Sequence, residues 1–368
     1  MRTAVNERAG LGGEAAAELD PLGFDHLVPL LHRLNAARDA DGLVALLREV
    51  LPPPASLTGR PGPEQLAIMR DLGMVIGSIR ACEVEPVELV PGLEETLLTL
   101  GAGSAMVPRD TLYHYVACNP IGVRERTYTG DVMERMLVSS VRSSMPRVTA
   151  AVRACQYLLD LDPATPDFTV AAHEVVVLVR SIDDAIDATR ATVTPAYFAG
   201  TLRRFFEPVL VAGTPYLGPA AAHMPLYLVD LALWAGDCDS LEHREFWRES
   251  AVYGLPRWRE LSDNWAHGPS VVTRLREAFD QHRDDERALA HLRASAEGVA
   301  RVMRGLVAFR GKHLSLAREA YDDSVSPYEL GSGGGTTDLL SLITDLSRDN
   351  AALVNRLLGI AGGRRARS

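Results

Sequence analysis

Lysine is almost missing from this chain. Of 38 basic residues in 368, Lys312 is the only lysine. It is followed by His313 rather than serine or threonine, so a GxxxxGK[ST] phosphate loop cannot be built. Cysteine is scarce too: Cys82, Cys118, Cys155 and Cys238 stand far apart, with no CxxC, CxxCH or Cys/His cluster. That excludes zinc-finger and c-type haem attachment signatures and fits reduced thiols. No apolar run reaches the roughly 18 residues of a membrane span, and the first twenty residues have neither a basic n-region nor an apolar core. The expectation is a cytoplasmic protein with no membrane partner. Basic residues are outnumbered by 48 acidic ones, for a net charge of −10, and both signs are dispersed. This argues against nucleic acid or anionic lipid and for a small-molecule partner. Sustained period-two alternation is lacking, as is a GxSxG following a strand, which removes the nucleophile elbow.

What the chain does have is 47% hydrophobic residues, spaced mostly every three or four positions. The fold class this predicts is all-α. Proline and glycine break the pattern at Pro52–Pro63, at Asn119-Pro120, at Asp162–Pro166 and at Gly213–Pro219. The expected organisation is an N-terminal helical unit over 1–125, a larger helical domain over 126–361, and a frayed tail over 362–368. Oligomeric state is not legible.

One apolar stripe carries a polar residue. Val299, Val302, Leu306, Phe309, His313, Leu316 and Ala320 follow a 3-4-3-4-3-4 spacing, one face of one helix. An imidazole there needs a hydrogen-bond partner or a metal, because unpaired buried polar atoms cost about 1–3 kcal/mol. Arg304, Arg310, Lys312 and Arg318 flank the stripe, cations of the kind that two haem propionates require. Farther on, Gly331-Ser332-Gly333-Gly334-Gly335-Thr336-Thr337-Asp338 leads into a periodic helix through Leu339, Leu342, Leu346, Leu353, Leu357 and Ile360. A glycine-rich loop feeding a helix N-terminus offers N–H groups to an anion, here a carboxylate; the plainer alternative is a mobile linker capped by Thr337.

Phe309-Arg310-x-x-His313, Tyr321 and the Gly331-Ser332-Gly333-Gly334 loop together resemble the proximal-histidine helix and glycine loop of the histidine-ligated haem dioxygenases, the indoleamine and tryptophan 2,3-dioxygenases. The similarity is greatest to the branch of monodechloroaminopyrrolnitrin synthase, which rearranges a chlorinated tryptophan. It extends through Leu89–Glu94, Asn119-Pro120, Tyr128–Gly130, Ser140–Arg142, Ser144-Met145, Tyr216–Pro219, Met224–Leu226, Trp234 and Arg244–Phe246.

The resemblance implies a haem b on His313 and propionate contacts from basic residues, Arg310 first. Tyr321, Ser332, Gly333 and Gly334 would lie near the substrate's amino-acid end or the haem edge, with Gly331 beside the cofactor. Ser140, Arg142 and Ser144 would form the catalytic distal side. The implied activity is a haem-dependent oxygenation or oxidative rearrangement of tryptophan or a substituted tryptophan in secondary metabolism, with O2 or peroxide as oxidant and room for an electron donor. Gly335-Thr336-Thr337-Asp338 and His223 depart from the branch, His223 standing where an acid is expected.

A rival constellation is Asp183-Asp184-Ala185-Ile186-Asp187, the DDxxD form of class I terpene synthases and prenyltransferases. Arg180 and Arg190 lie within helical reach and suggest a salt-paired face instead. The second metal-binding motif that this chemistry needs is not supplied by Asp284–Glu286 or Asp322-Asp323. A non-catalytic haem carrier is a third alternative.

Overall fold

The computed structural model describes residues 8–321 and 330–363. Its elements are almost all helical. The N-terminal third contains α1 (Arg8–Ala17), α2 (Val28–Ala37), α3 (Ala40–Val50), α4 (Gly62–Arg80), α5 (Pro86–Leu89), α6 (Leu93–Ser104) and α7 (Leu112–Val116). The long helices α8 (Val132–Asp160) and α9 (Pro166–Thr192) follow, then the short α10 (Pro195–Tyr197). After them come α11 (Leu226–Asp230), α12 (Leu241–Ala251), α13 (Pro256–Trp265), α14 (Val271–Gln281), α15 (Glu286–Ala320) and α16 (Thr337–Gly363).

Helix α4 is the axis of the N-terminal part, buried along most of its length from Gln65 to Ile79. That burial encloses charge. Arg70 and Asp71 are 1% and 0% exposed, and the Asp71 carboxylate also accepts from Arg126 Nε at 3.0 Å. Arg70 spends its remaining donors on the carbonyls of Ala16, Leu19 and Cys118. Arg126 spends its own on Asp25, Asp20 and the Arg124 carbonyl. These bonds join segments on both sides of residue 125, and the apolar core is likewise continuous across it.

The C-terminal part is a row of long helices in which α8 packs on α9, α9 on α15 and α15 on α16. The break at 162–166 separates α8 from α9, as its prolines dictate. In the Pro52–Pro63 stretch the chain is more ordered than expected: Pro54–Ser56 forms a 3-10 turn and α4 already begins at Gly62, with proline in its first turn. The expected break at Gly213 is a two-stranded hairpin, Val209–Val211 against Thr214–Tyr216. Its turn residues Ala212 and Gly213 both have positive φ, at 49° and 75°, as a tight hairpin turn requires; Gly213 adopts this freely, while Ala212 is a non-glycine residue held there by the turn. Three-residue strands are too short for alternation to declare them in the sequence.

Candidate functional site

The stripe of α15 changes character along its length. Val299, Val302 and Leu306 are buried at 0–1% exposure, Phe309, His313 and Leu316 are half-buried, and Ala320 at the helix end is buried again. On α9 the stripe Phe168, Ala172, Val175, Val179 and Ile182 is buried, and Ile186 is half-buried. Both stripes are thus less buried at the same level of the α9–α15 pair, around His313 and Ile186. His313 stands at that level. Its ring stacks on Phe309, with centroids 5.7 Å apart and planes at 24°, and it makes no hydrogen bond to any described residue. Burial, assisted by the Arg310 charge, holds its imidazole below the usual pKa, which keeps a nitrogen lone pair available.

Lys312 explains the acidic motif on the neighbouring helix. Its Nζ lies 2.8 Å from Asp183 Oδ1 and 2.7 Å from Asp187 Oδ2, so one ammonium bridges the first and last carboxylates of DDxxD. The expected partners, Arg180 and Arg190, do not serve here among the described residues; the cation comes from α15. A lysine between two carboxylates does the neutralising that Mg²⁺ would do in the rival chemistry, and among the described residues no group of three or more acidic, histidine or cysteine side chains is placed to hold a metal. Asp322 and Asp323 lie outside the described residues.

Arg310 is not poised for a propionate. It is 7% exposed, ion-paired with Asp230 of α11, and donates to Ser347 Oγ of α16 at 2.7 Å. Asp230 also accepts from Trp234 Nε1 at 3.1 Å. The guanidinium therefore fastens α15 to α11 and α16. Sequence spacing missed this because Ser347 and Thr344 lie on the buried face of α16, with Leu339, Ile343, Ala351 and Val354, while Leu342, Leu346, Leu353 and Leu357 are only half-buried. A stripe drawn through leucines alone is rotated from the true contact face.

The glycine loop is ordered and meets Tyr321. A Cβ on Gly331 would lie 3.8 Å from the Tyr321 hydroxyl, so the C-terminal cap of α15 and the loop are neighbours. The loop closes on itself through Gly331 N to Gly335 O at 2.8 Å and Gly334 N to Gly331 O at 2.9 Å, with Gly334 at φ 80°. Those two amides are spent, so any anion would be held by others. Thr336, not Thr337, caps α16, its hydroxyl accepting from Leu339 N at 3.1 Å. Gly333 presses on Ala222, whose methyl a Cβ there would overlap, and Gly334 lies against Leu217. Leu217, Ala220 and Ala222 are thus the floor of the loop.

The three distal-side residues do not form one set. Ser140 bonds to the Leu137 carbonyl and to Thr189 Oγ1 of α9, both at 2.8 Å. Arg142 turns to the N-terminal part, donating to Val116 O at 3.2 Å and Glu125 Oε1 at 2.9 Å. Ser144 is 1% exposed and donates to the Val141 carbonyl at 3.0 Å. Serine hydroxyls returned to their own helix are the ordinary way of satisfying such groups, so the observed bonds of all three are architectural. Clefts of about 140 Å³ (beside Trp234 and Cys238) and about 510 Å³ (beside Leu22 and Pro52) contain none of the expected site residues.

The family model of monodechloroaminopyrrolnitrin synthase PrnB matches residues 57–357. The chain belongs to that family. The match spans α4 through most of α16, so it takes in His313, the glycine loop and the floor beneath it. Family members are enzymes, haem-dependent oxidative catalysts of antibiotic biosynthesis, and this chain is an oxidoreductase of that kind. No helix among the described residues is long and apolar enough to cross a membrane.

Proposed function

We propose that the protein is a haem b enzyme that oxidises tryptophan or a substituted tryptophan, with His313 as the axial ligand of the iron. The observation that carries this is His313 itself: a neutral, hydrogen-bond-free imidazole at the level where two apolar stripes are both less buried. The donor set fits. A neutral histidine nitrogen is the ligand that haem iron takes, and half-buried Phe309, Leu316 and Ile186 suit the apolar face of a porphyrin. Arg310 acts here through its ion pair with Asp230, which sets the rotation of α15 one turn before His313. When bound, the haem supplies oxidation by O2 or peroxide.

The chain's remaining tasks are binding and orientation. Tyr321 and the unspent amides of the 331–335 loop face a carboxylate about 12 Å along the helix from His313, at 1.5 Å per residue, a span suited to an amino acid lying beside the cofactor. Ser332 adds a hydroxyl donor there. Apolar walls fix the indole and exclude water.

The test is optical. Purified protein reconstituted with haem should show a Soret band, His313→Ala should lose most of it, and added imidazole should restore part. A colourless protein that takes up no haem would overturn the assignment. Tryptophan should perturb the band of the unaltered protein and disappear from the mixture only with oxidant present.

A further inference from the structure

One residue after the Ala222 contact of the glycine loop stands a histidine whose ring nitrogens are open. His223 is 3% exposed, and neither Nδ1 nor Nε2 has a hydrogen-bond partner. Its ring lies flat on Tyr253, with centroids 4.1 Å apart and planes at 2°, and Tyr253 Oη accepts from Leu217 N at 2.9 Å. Leu217 and Ala222 are the residues on which Gly334 and Gly333 rest, so His223 is one residue from the loop contact. Tyr227 Oη, 7% exposed, is also unpartnered and would lie 3.1 Å from a Cβ on Gly254, next to Tyr253. Burial holds the His223 pKa down to about 3, so near neutral pH the ring keeps one donor and one acceptor. His114, equally buried, has one nitrogen occupied, Nδ1 accepting from Thr111 N at 3.1 Å, and only Nε2 open, whereas both nitrogens of His223 are open.

We infer that His223 is a specificity-determining residue that accepts a hydrogen bond from the α-ammonium of the amino acid whose carboxylate the loop holds. The inference rests on the function proposed above. Loop amides are donors and suit a carboxylate, but an ammonium has three donors and needs acceptors. His223 and the Tyr227 hydroxyl are unspent acceptors next to the loop floor and in its support. Leaving them unpaired is costly, whereas a hydrogen bond to a charged group is favourable.

Calorimetric titration of the haem-loaded protein with L-tryptophan, tryptamine (no carboxylate) and indole-3-propionate (no amine) separates the roles. His223→Leu should weaken tryptophan and tryptamine about tenfold, the effect of one charge-assisted bond, and leave indole-3-propionate within about twofold. His223→Gln, which keeps an acceptor, should retain most of the tryptophan affinity. Tyr227→Phe should show the same selective loss, and serves if His223→Leu does not fold. Equal weakening of all three ligands would mean a packing role and overturn the inference, as would unchanged tryptophan affinity. If the unaltered protein binds tryptophan but the amine contrast is missing, the proposed function stands and the His223 assignment falls. If it binds none of the three, both fall.

Discussion

The Asp71 cluster in the N-terminal part and the α9–α15 end of the C-terminal part use charge in opposite ways. Around Asp71, two buried arginines share one carboxylate and nearly every donor is matched to a carbonyl or carboxylate. Near the loop, the His223 imidazole and the Tyr227 hydroxyl are buried without hydrogen-bond partners, and the half-buried His313 ring stacks on Phe309. A closed network is expensive to disturb and offers nothing to a ligand, since its bonds are already made. Open atoms are tolerated where something else completes them. Unpartnered buried atoms also occur in the N-terminal part, at His114 Nε2 and Tyr128 Oη among others, so the contrast is one between these two clusters.

The comparison breaks most visibly at its carboxylates. Asp71→Ala strands Arg70 and Arg126 in the core and should destabilise by about 3–5 kcal/mol, read from urea unfolding. Haem bound per folded molecule should not change. Asp230→Ala strands Arg310 in the same way, yet it also frees the helix that carries His313, so both unfolding free energy and haem retention should fall. Equal haem loss in the two variants would erase the distinction between the regions.

A sharper and smaller effect is expected at the loop. Gly333→Ala should weaken tryptophan binding about tenfold by lifting the loop off Ala222, and Ala222→Gly in the same chain should restore most of it. No rescue would mean that Gly333 is required for something other than this contact. The smallest effect belongs to the Lys312 bridge. Asp183 and Asp187 are 36% and 55% exposed in their side chains, so replacing both by Asn should cost less than about 1 kcal/mol and leave the Soret band intact. Mg²⁺-dependent release of diphosphate from a prenyl substrate, abolished by those changes, would restore the rival reading.

The helical class and the stripe around His313 were legible because apolar spacing of three and four is a direct image of one helix face. The partners of Arg310 were not. Asp230 is 80 positions away, and Ser347 is a small polar residue on a face that leucines do not mark. Lys312 failed differently: Arg180 and Arg190 were the nearest cations in sequence, but α15 crosses α9 and supplies a nearer one in space. Gly333 was legible as a glycine with a reason, and one reason the sequence did not show is the Ala222 methyl that a Cβ would meet. The stacking of His223 on Tyr253 joins two segments that no local pattern connects.

The solitary lysine also makes the molecule its own timer. A lysine-specific protease has one bond to cut in the whole sequence, Lys312–His313, in the C-terminal part of a 35-residue helix and next to the residue proposed to hold iron. Cleavage requires that stretch of α15 to unwind, so the rate of a single scission into two fragments reports local opening at that one place. Saturating haem would slow the cut if His313 holds the iron, and the deceleration would give the fraction of time for which the cofactor keeps the helix shut.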